Sequence, residues 1–119
     1  MMNFIKSFGY AFKGMYFVLK GQRNMRVHAM AIVVVTIAGI FLELTAIEWS
    51  LIALTIGAVI TAEMFNTAFE TIVDLVSPEY NEKAGKIKDI AAGAVLLAAI
   101  VATVVAIYIF GNKIFNLLL

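Results

Sequence analysis

The run IAAGAVLLAAIVATVVAIYIF, residues 90–110, decides the fold class. It is 21 residues long and contains no charge and no proline. A helix that crosses a bilayer needs roughly 20 predominantly apolar residues, so this stretch predicts a membrane span. Upstream of it, Lys83 to Asp89 form a charged entry, and Gly111-Asn112 marks its expected end. The span is therefore placed over residues 86–111. Further upstream, Ser77-Pro78-Glu79-Tyr80-Asn81-Glu82 breaks a second apolar helix, expected over 49–76, with Trp49 at its start as an interfacial anchor. Glu43 to Glu48 read as a tight connection to a first span over 27–43. That run is close to the lower limit of about 17 residues and needs its flanks or a thinned bilayer.

Residues 1–26 have a different pattern. Phe4, Phe8, Phe12, Met15 and Leu19 recur at helical spacing, and Lys6, Lys13 and Lys20 recur at intervals of seven. An apolar stripe with a basic face predicts a helix lying on the membrane surface. Lysines interrupt the apolar stretch and no small-residue cleavage site follows, which argues against a cleavable signal peptide. The expected architecture is an all-α membrane protein: an N-terminal amphipathic surface helix and three transmembrane helices, in one domain over residues 1–119.

Composition agrees with this architecture. Of 119 residues, 63% are hydrophobic and 14% charged, and the mean hydropathy is +0.98. Soluble domains are about 45–50% apolar and about 25% charged, and a small one could not hide this much apolar surface. The absence of cysteine excludes disulfides, thiolate metal sites and cysteine nucleophiles. The single histidine, His28, excludes a histidine-rich metal site within one chain. A net charge of +1 gives no nucleic-acid footprint. Lys6, Lys13, Lys20, Arg23 and Arg26 precede the first span, and Lys83, Lys86 and Lys88 lie between the second and third. The positive-inside rule then puts the N-terminus and the 77–89 loop in the cytoplasm and the C-terminus outside.

The second span carries charges that a lipid-facing helix would not. At 100° per residue, Glu63, Asn66, Glu70 and Asp74 fall within an arc of about 80°. Glu63 lies roughly 20 Å in from the start of that span, where a charge costs at least a few kcal/mol. A protonated Glu63 that merely holds helices together is the bland account. It does not explain three acids on one stripe, which repel unless paired or metal-bound. Asp74, near the cytoplasmic end, is the least informative of the set. Oxygen ligands without cysteine suit a hard cation, magnesium before zinc. Near the cytoplasmic boundary, Lys86, Lys88 and the free N–H groups at the start of the third span suit phosphate. No glycine-rich nucleotide loop and no protein-kinase signature is present.

The segment Ala62-Glu63-Met64-Phe65-Asn66-Thr67-Ala68-Phe69-Glu70-Thr71-Ile72-Val73-Asp74, with Lys88-Asp89-Ile90-Ala91-Ala92-Gly93-Ala94-Val95 beyond it, resembles a family signature. The family is the small integral-membrane diacylglycerol kinases and undecaprenol kinases of bacteria, and the likeness runs from about Phe8 to Ile100. Gly14 and Arg23-Asn24-Met25-Arg26-Val27-His28 resemble its Gram-positive branch, as does Ala92 where Gram-negative diacylglycerol enzymes tend to have serine. The resemblance implies homotrimers that transfer the γ-phosphate of Mg-ATP to the hydroxyl of a membrane lipid, in sites between subunits. It implies Glu63 as general base and Glu70 as a metal ligand. It places Asn66, Lys88 and Asp89 around the nucleotide phosphates, and Glu79, Tyr80 and Tyr10 near ATP. Gln22 stands where the family commonly has a glutamate that binds metal or nucleotide. An amide offers oxygen without charge, so a lower metal affinity is expected. Undecaprenol is the expected acceptor and diacylglycerol the alternative. A non-enzymatic oligomeric pathway for cations or protons is the alternative of another class, because an acidic intramembrane face would suit it equally.

Overall fold

The computed structural model describes residues 2–119. The chain forms four helices, α1 (Met2–Gly21), α2 (Arg23–Phe41), α3 (Ala46–Val76) and α4 (Glu82–Leu118). The first residue of the expected 1–26 surface helix lies outside the described residues. The helices α2, α3 and α4 are each long and apolar enough to cross a membrane, so the chain is a multi-pass membrane protein. Large apolar side chains stand exposed along them, among them Met30, Val34, Leu54, Leu97 and Ile107. In water such a surface would be costly; in lipid it is the ordinary outer face of a bundle.

Several boundaries differ from the sequence expectation, each for a local reason. The chain breaks at Gln22, whose backbone is extended (φ −110°, ψ 120°), directly after a poor helix former, Gly21. Arg23, Asn24 and Arg26 therefore begin α2 rather than end the preceding helix. Its 19 residues extend about 28 Å at 1.5 Å per residue, which supplies the length that residues 27–43 alone lacked. The α3 helix starts at Ala46, three residues before Trp49. Thr45 accepts from the Glu48 backbone N–H, and the Glu48 carboxylate accepts from the Thr45 backbone N–H at 2.8 Å, a reciprocal cap. The α4 helix starts at Glu82 because the Asn81 side chain caps Ala84 N at 2.8 Å. It continues through Gly111-Asn112 to Leu118. Gly111 does not take the left-handed conformation that ends a helix, and the apolar residues beyond it remain compatible with lipid.

The antiparallel pair α3–α4 is the scaffold. At one end, Leu44, Ile52 and Ile109 form a buried cluster with Trp49 and Phe110 packed against it. There Lys113 Nζ lies 3.2 Å from Glu48 Oε2 and donates to the Glu43 carbonyl at 3.2 Å. Glu43 makes this turn with φ 53°. Gly39 lets the Trp49 indole lie on α2: a Cβ there would stand 2.5 Å from Trp49 Cη2. At the other end, Lys88 Nζ meets Asp74 Oδ1 at 2.6 Å. With both ends joined, the acidic stripe of α3 is held in fixed register with α4.

Candidate active site

The site is built on the middle and far half of α3. Glu63 is 1% exposed and is the most deeply buried side chain among the described residues. Asn66 and Thr67, the next residues on that face, are also buried. Thr67 Oγ1 donates to the Glu63 carbonyl at 3.0 Å, returning its hydroxyl to its own helix. Asn66 Nδ2 donates to Glu70 Oε1 at 3.2 Å, so the two carry out the i, i+4 contact that the stripe predicts. Asp74 continues the stripe but pairs with Lys88 on α4. Asp74 is exposed, and its partner is one that only the α3–α4 register reveals.

Two oxygens on this face are buried without a hydrogen-bond donor, Glu63 Oε2 and Asn66 Oδ1. Buried acceptors of this kind are rare and call for an explanation. Both residues line a cavity of about 270 Å³. Its walls are Asn24, Val27 and His28 of α2, Glu63 and Asn66 of α3, and Ala92, Val95, Leu96 and Ala99 of α4. A second cavity of about 240 Å³ adjoins it, sharing His28 and Ala99. Its lining is aliphatic apart from Thr55, Thr103 and that histidine. The cavity that holds the buried acid thus lies beside an apolar one, with His28 and Ala99 on the wall of both. Oxygen acceptors facing a small cavity suit a hydroxyl donor or a hard cation.

The expected site residues fall into two groups. Glu63 and Asn66 line the cavity, Glu70 is tied to Asn66, and Lys88 sits one ion pair from Asp74. Tyr10, Gln22, Glu79, Tyr80 and Asp89 do not line it. Tyr10 is exposed on α1 with Lys13 Nζ 5.7 Å from its ring centre. Gln22 is half-buried at the α1–α2 break, and Glu79 and Asp89 are exposed. Tyr80 is 87% exposed, yet its ring edge lies over Gly85, 3.3 Å from where a Cβ would be. Among the described residues no three His, Cys, Asp or Glu side chains converge as a metal cage. Magnesium does not require one, because it commonly takes one or two carboxylates and completes its shell with water and phosphate oxygens. Glu70, beside the unpartnered Asn66 oxygen, fits that use. Sequence reasoning missed the placement of His28 and Asn24 opposite Glu63. A histidine inside an apolar run is a signal, but which helix it faces is a tertiary fact.

Comparison with known proteins gives a consistent picture. Residues 9–110 match the family model for prokaryotic diacylglycerol kinase. The chain is 39% identical over 111 residues to the undecaprenol kinase of Bacillus subtilis (strain 168), covering 93% of this chain and 90% of that protein. It is 46% identical over 104 residues to a diacylglycerol kinase of Synechocystis sp., covering 87% of this chain but 59% of that one. Against the diacylglycerol kinase of Escherichia coli (strain K12) it is 32% identical over 100 residues, with 84% and 82% covered.

Proposed function

The chain belongs to the prokaryotic diacylglycerol kinase family, and from that premise we propose that it phosphorylates undecaprenol, using the γ-phosphate of Mg-ATP and giving undecaprenyl phosphate. The observation that carries the reading is Glu63: a nearly inaccessible carboxylate, one oxygen without a donor, on the wall of a cavity at membrane depth. A lipid hydroxyl supplies the missing donor. As its oxygen bonds to the γ-phosphorus, its proton passes to Glu63 and the bond to the departing ADP breaks. A positioned general base contributes about 10²–10⁴-fold. The adjoining aliphatic cavity would take the hydrocarbon next to that hydroxyl, so the acceptor need not leave the bilayer.

Glu70 would hold magnesium, with the Asn66 amide fixing its carboxylate and Gln22 offering a neutral oxygen. Held there, magnesium would supply charge neutralisation for the phosphates. Lys88 would exchange Asp74 for a phosphate oxygen. Asp89, Glu79, Tyr80 and Tyr10 would complete the nucleotide site. Because these residues do not line the Glu63 cavity of one chain, we assign the complete site to the boundary between subunits of a homotrimer.

We place α1 on the cytoplasmic membrane surface, with the N-terminus and the 77–89 loop inside and the C-terminus outside. The Lys and Arg residues before residue 27 and in the 77–89 loop support this topology. The cation-pathway reading does not use the Lys88-Asp89 pair, whereas the kinase reading does. A diacylglycerol acceptor is favoured by one observation, the 46% identity to a diacylglycerol kinase. The undecaprenol kinase, however, is matched over almost its whole length. The deciding experiment is phosphotransfer from labelled Mg-ATP by purified protein in mixed micelles, with the two lipids in parallel. Undecaprenyl phosphate in clear excess is expected. Phosphatidic acid in excess would overturn the acceptor, and no product with either lipid would overturn the reaction.

A further inference from the structure

His28 has no part in the chemistry above, yet it stands at its centre. It is the one histidine of the sequence, half-buried on α2, and it lines both the Glu63 cavity and the apolar cavity that adjoins it. It shares the wall of the first cavity with Glu63. The remaining groups around it are few. From α3 the cavity wall adds only Asn66, with Glu70 behind it. From α4 come Ala92, Val95, Leu96 and Ala99, and from α2 itself Asn24 and Val27. Helix α1 lines neither cavity. Among the described residues lining the two cavities, Glu63 is therefore the only other titratable group.

Each turnover leaves a proton on Glu63. The acceptor O–H breaks, its electron pair forms the new O–P bond, and its proton goes to the carboxylate. The bond between γ-phosphorus and the ADP oxygen breaks, and its pair leaves with ADP. A protonated carboxyl cannot serve the next acceptor. Glu63 is 1% exposed, so it has no direct path to water. Imidazole is the side chain whose unperturbed titration lies nearest neutral pH, which suits it to shuttle protons. Asn24, one turn before His28, lines the same cavity and is exposed.

We infer that His28 is the proton exit of the site: a ring nitrogen takes the proton from Glu63 after transfer and releases it past Asn24 to water. The histidine touches no reacting atom and acts through Glu63, so the inference rests on the base role proposed above. It restores the carboxylate between turnovers and has no part in the first.

That division gives the test. His28→Gln in the full-length protein is compared with the unaltered chain in mixed micelles, in one single-turnover experiment and one at steady state. The expected result is a first turnover within about twofold and a steady-state rate lower by about a hundredfold, the lower range for acid–base assistance. In His28→Ala, added imidazole should restore the steady-state rate in proportion to its free-base concentration. If both rates fall together with the thermal midpoint intact, or neither falls, or imidazole has no effect, the relay is wrong. Should the variants fail to fold, the unaltered chain decides. Its steady-state rate must then fall toward acid pH before its first-turnover rate does, and superimposable profiles would overturn the relay. Glu63→Gln separates the parent reading: that variant must lose both rates, and if it keeps them the base role fails independently of His28.

Discussion

Replacing Asn66 with leucine should separate stability from catalysis, with opposite signs. Asn66 is 8% exposed. Its Nδ2 donates to Glu70 Oε1 at 3.2 Å, at the long end of the N–H···O range. Its Oδ1 is buried without a donor. The bond to Glu70 contributes about 1 kcal/mol, below the usual value for a bond to a charged group because of its length. Leucine loses that bond but also removes a buried orphan oxygen, whose desolvation costs about 1–3 kcal/mol. The thermal midpoint in detergent should therefore stay level or rise. Function should move the other way. Freed from Asn66, the Glu70 carboxylate is no longer aimed, and loss of a partner that orients a metal ligand typically costs 10–100-fold in metal affinity or activity, as an order-of-magnitude range. The assay is a magnesium titration of phosphotransfer at saturating ATP, beside thermal unfolding in the same micelles. An unchanged magnesium requirement would refute the role given to the Asn66–Glu70 pair. Activity lost in step with a falling midpoint would refute it as well, because packing alone would then explain both.

Two further substitutions test the frame around the site. Gly39→Ala places a Cβ 2.5 Å from Trp49 Cη2 and 3.0 Å from Leu44 Cδ1. It should lower stability by about 1–3 kcal/mol, the usual range for overpacking, and Trp49→Leu in the same chain should recover most of the loss in thermal unfolding. Asp74→Asn removes the partner of an exposed pair, so the thermal midpoint should hold, as is usual for surface ion pairs. Lys88→Met should instead raise the KM for ATP about tenfold or more, the size of one lost charge-assisted contact, and equal KM values for the two variants would contradict the exchange of Asp74 for phosphate.

The sequence made some features legible and left others hidden for physical reasons. Uniform apolar runs announce spans because lipid tolerates little else, and the 100° repeat places Glu63, Asn66 and Glu70 on one face before any tertiary contact is known. The Asn66–Glu70 bond follows from that spacing alone. Helix ends were less visible. Thr45-x-x-Glu48 carries the signature of a reciprocal cap, and reading it would have moved the start of α3 to Ala46. Gln22 carries no strong breaker signal, so the α1–α2 junction emerges only from the backbone. Gly111 misleads in the opposite direction, since a glycine ends a helix only when it adopts a left-handed conformation. The contacts that complete the site were hidden altogether. His28 opposite Glu63 and Lys88 on Asp74 join residues 35 and 14 positions apart, and their meeting depends on how α2 and α4 lie against α3. Tyr10, Gln22, Glu79, Tyr80 and Asp89 are implied by family likeness alone, and one chain does not gather them around the cavity.

The most direct measurement is phosphotransfer to undecaprenol by Glu63→Gln, with oligomer size and thermal midpoint recorded on the same preparation. Glutamine keeps the shape of the side chain and removes only its ability to accept a proton at that position. A fall in kcat of at least about 10²-fold, with KM for ATP and the midpoint little changed, is the expected result. A rate within a few-fold of the unaltered protein would contradict it and would take Glu63 out of the reaction.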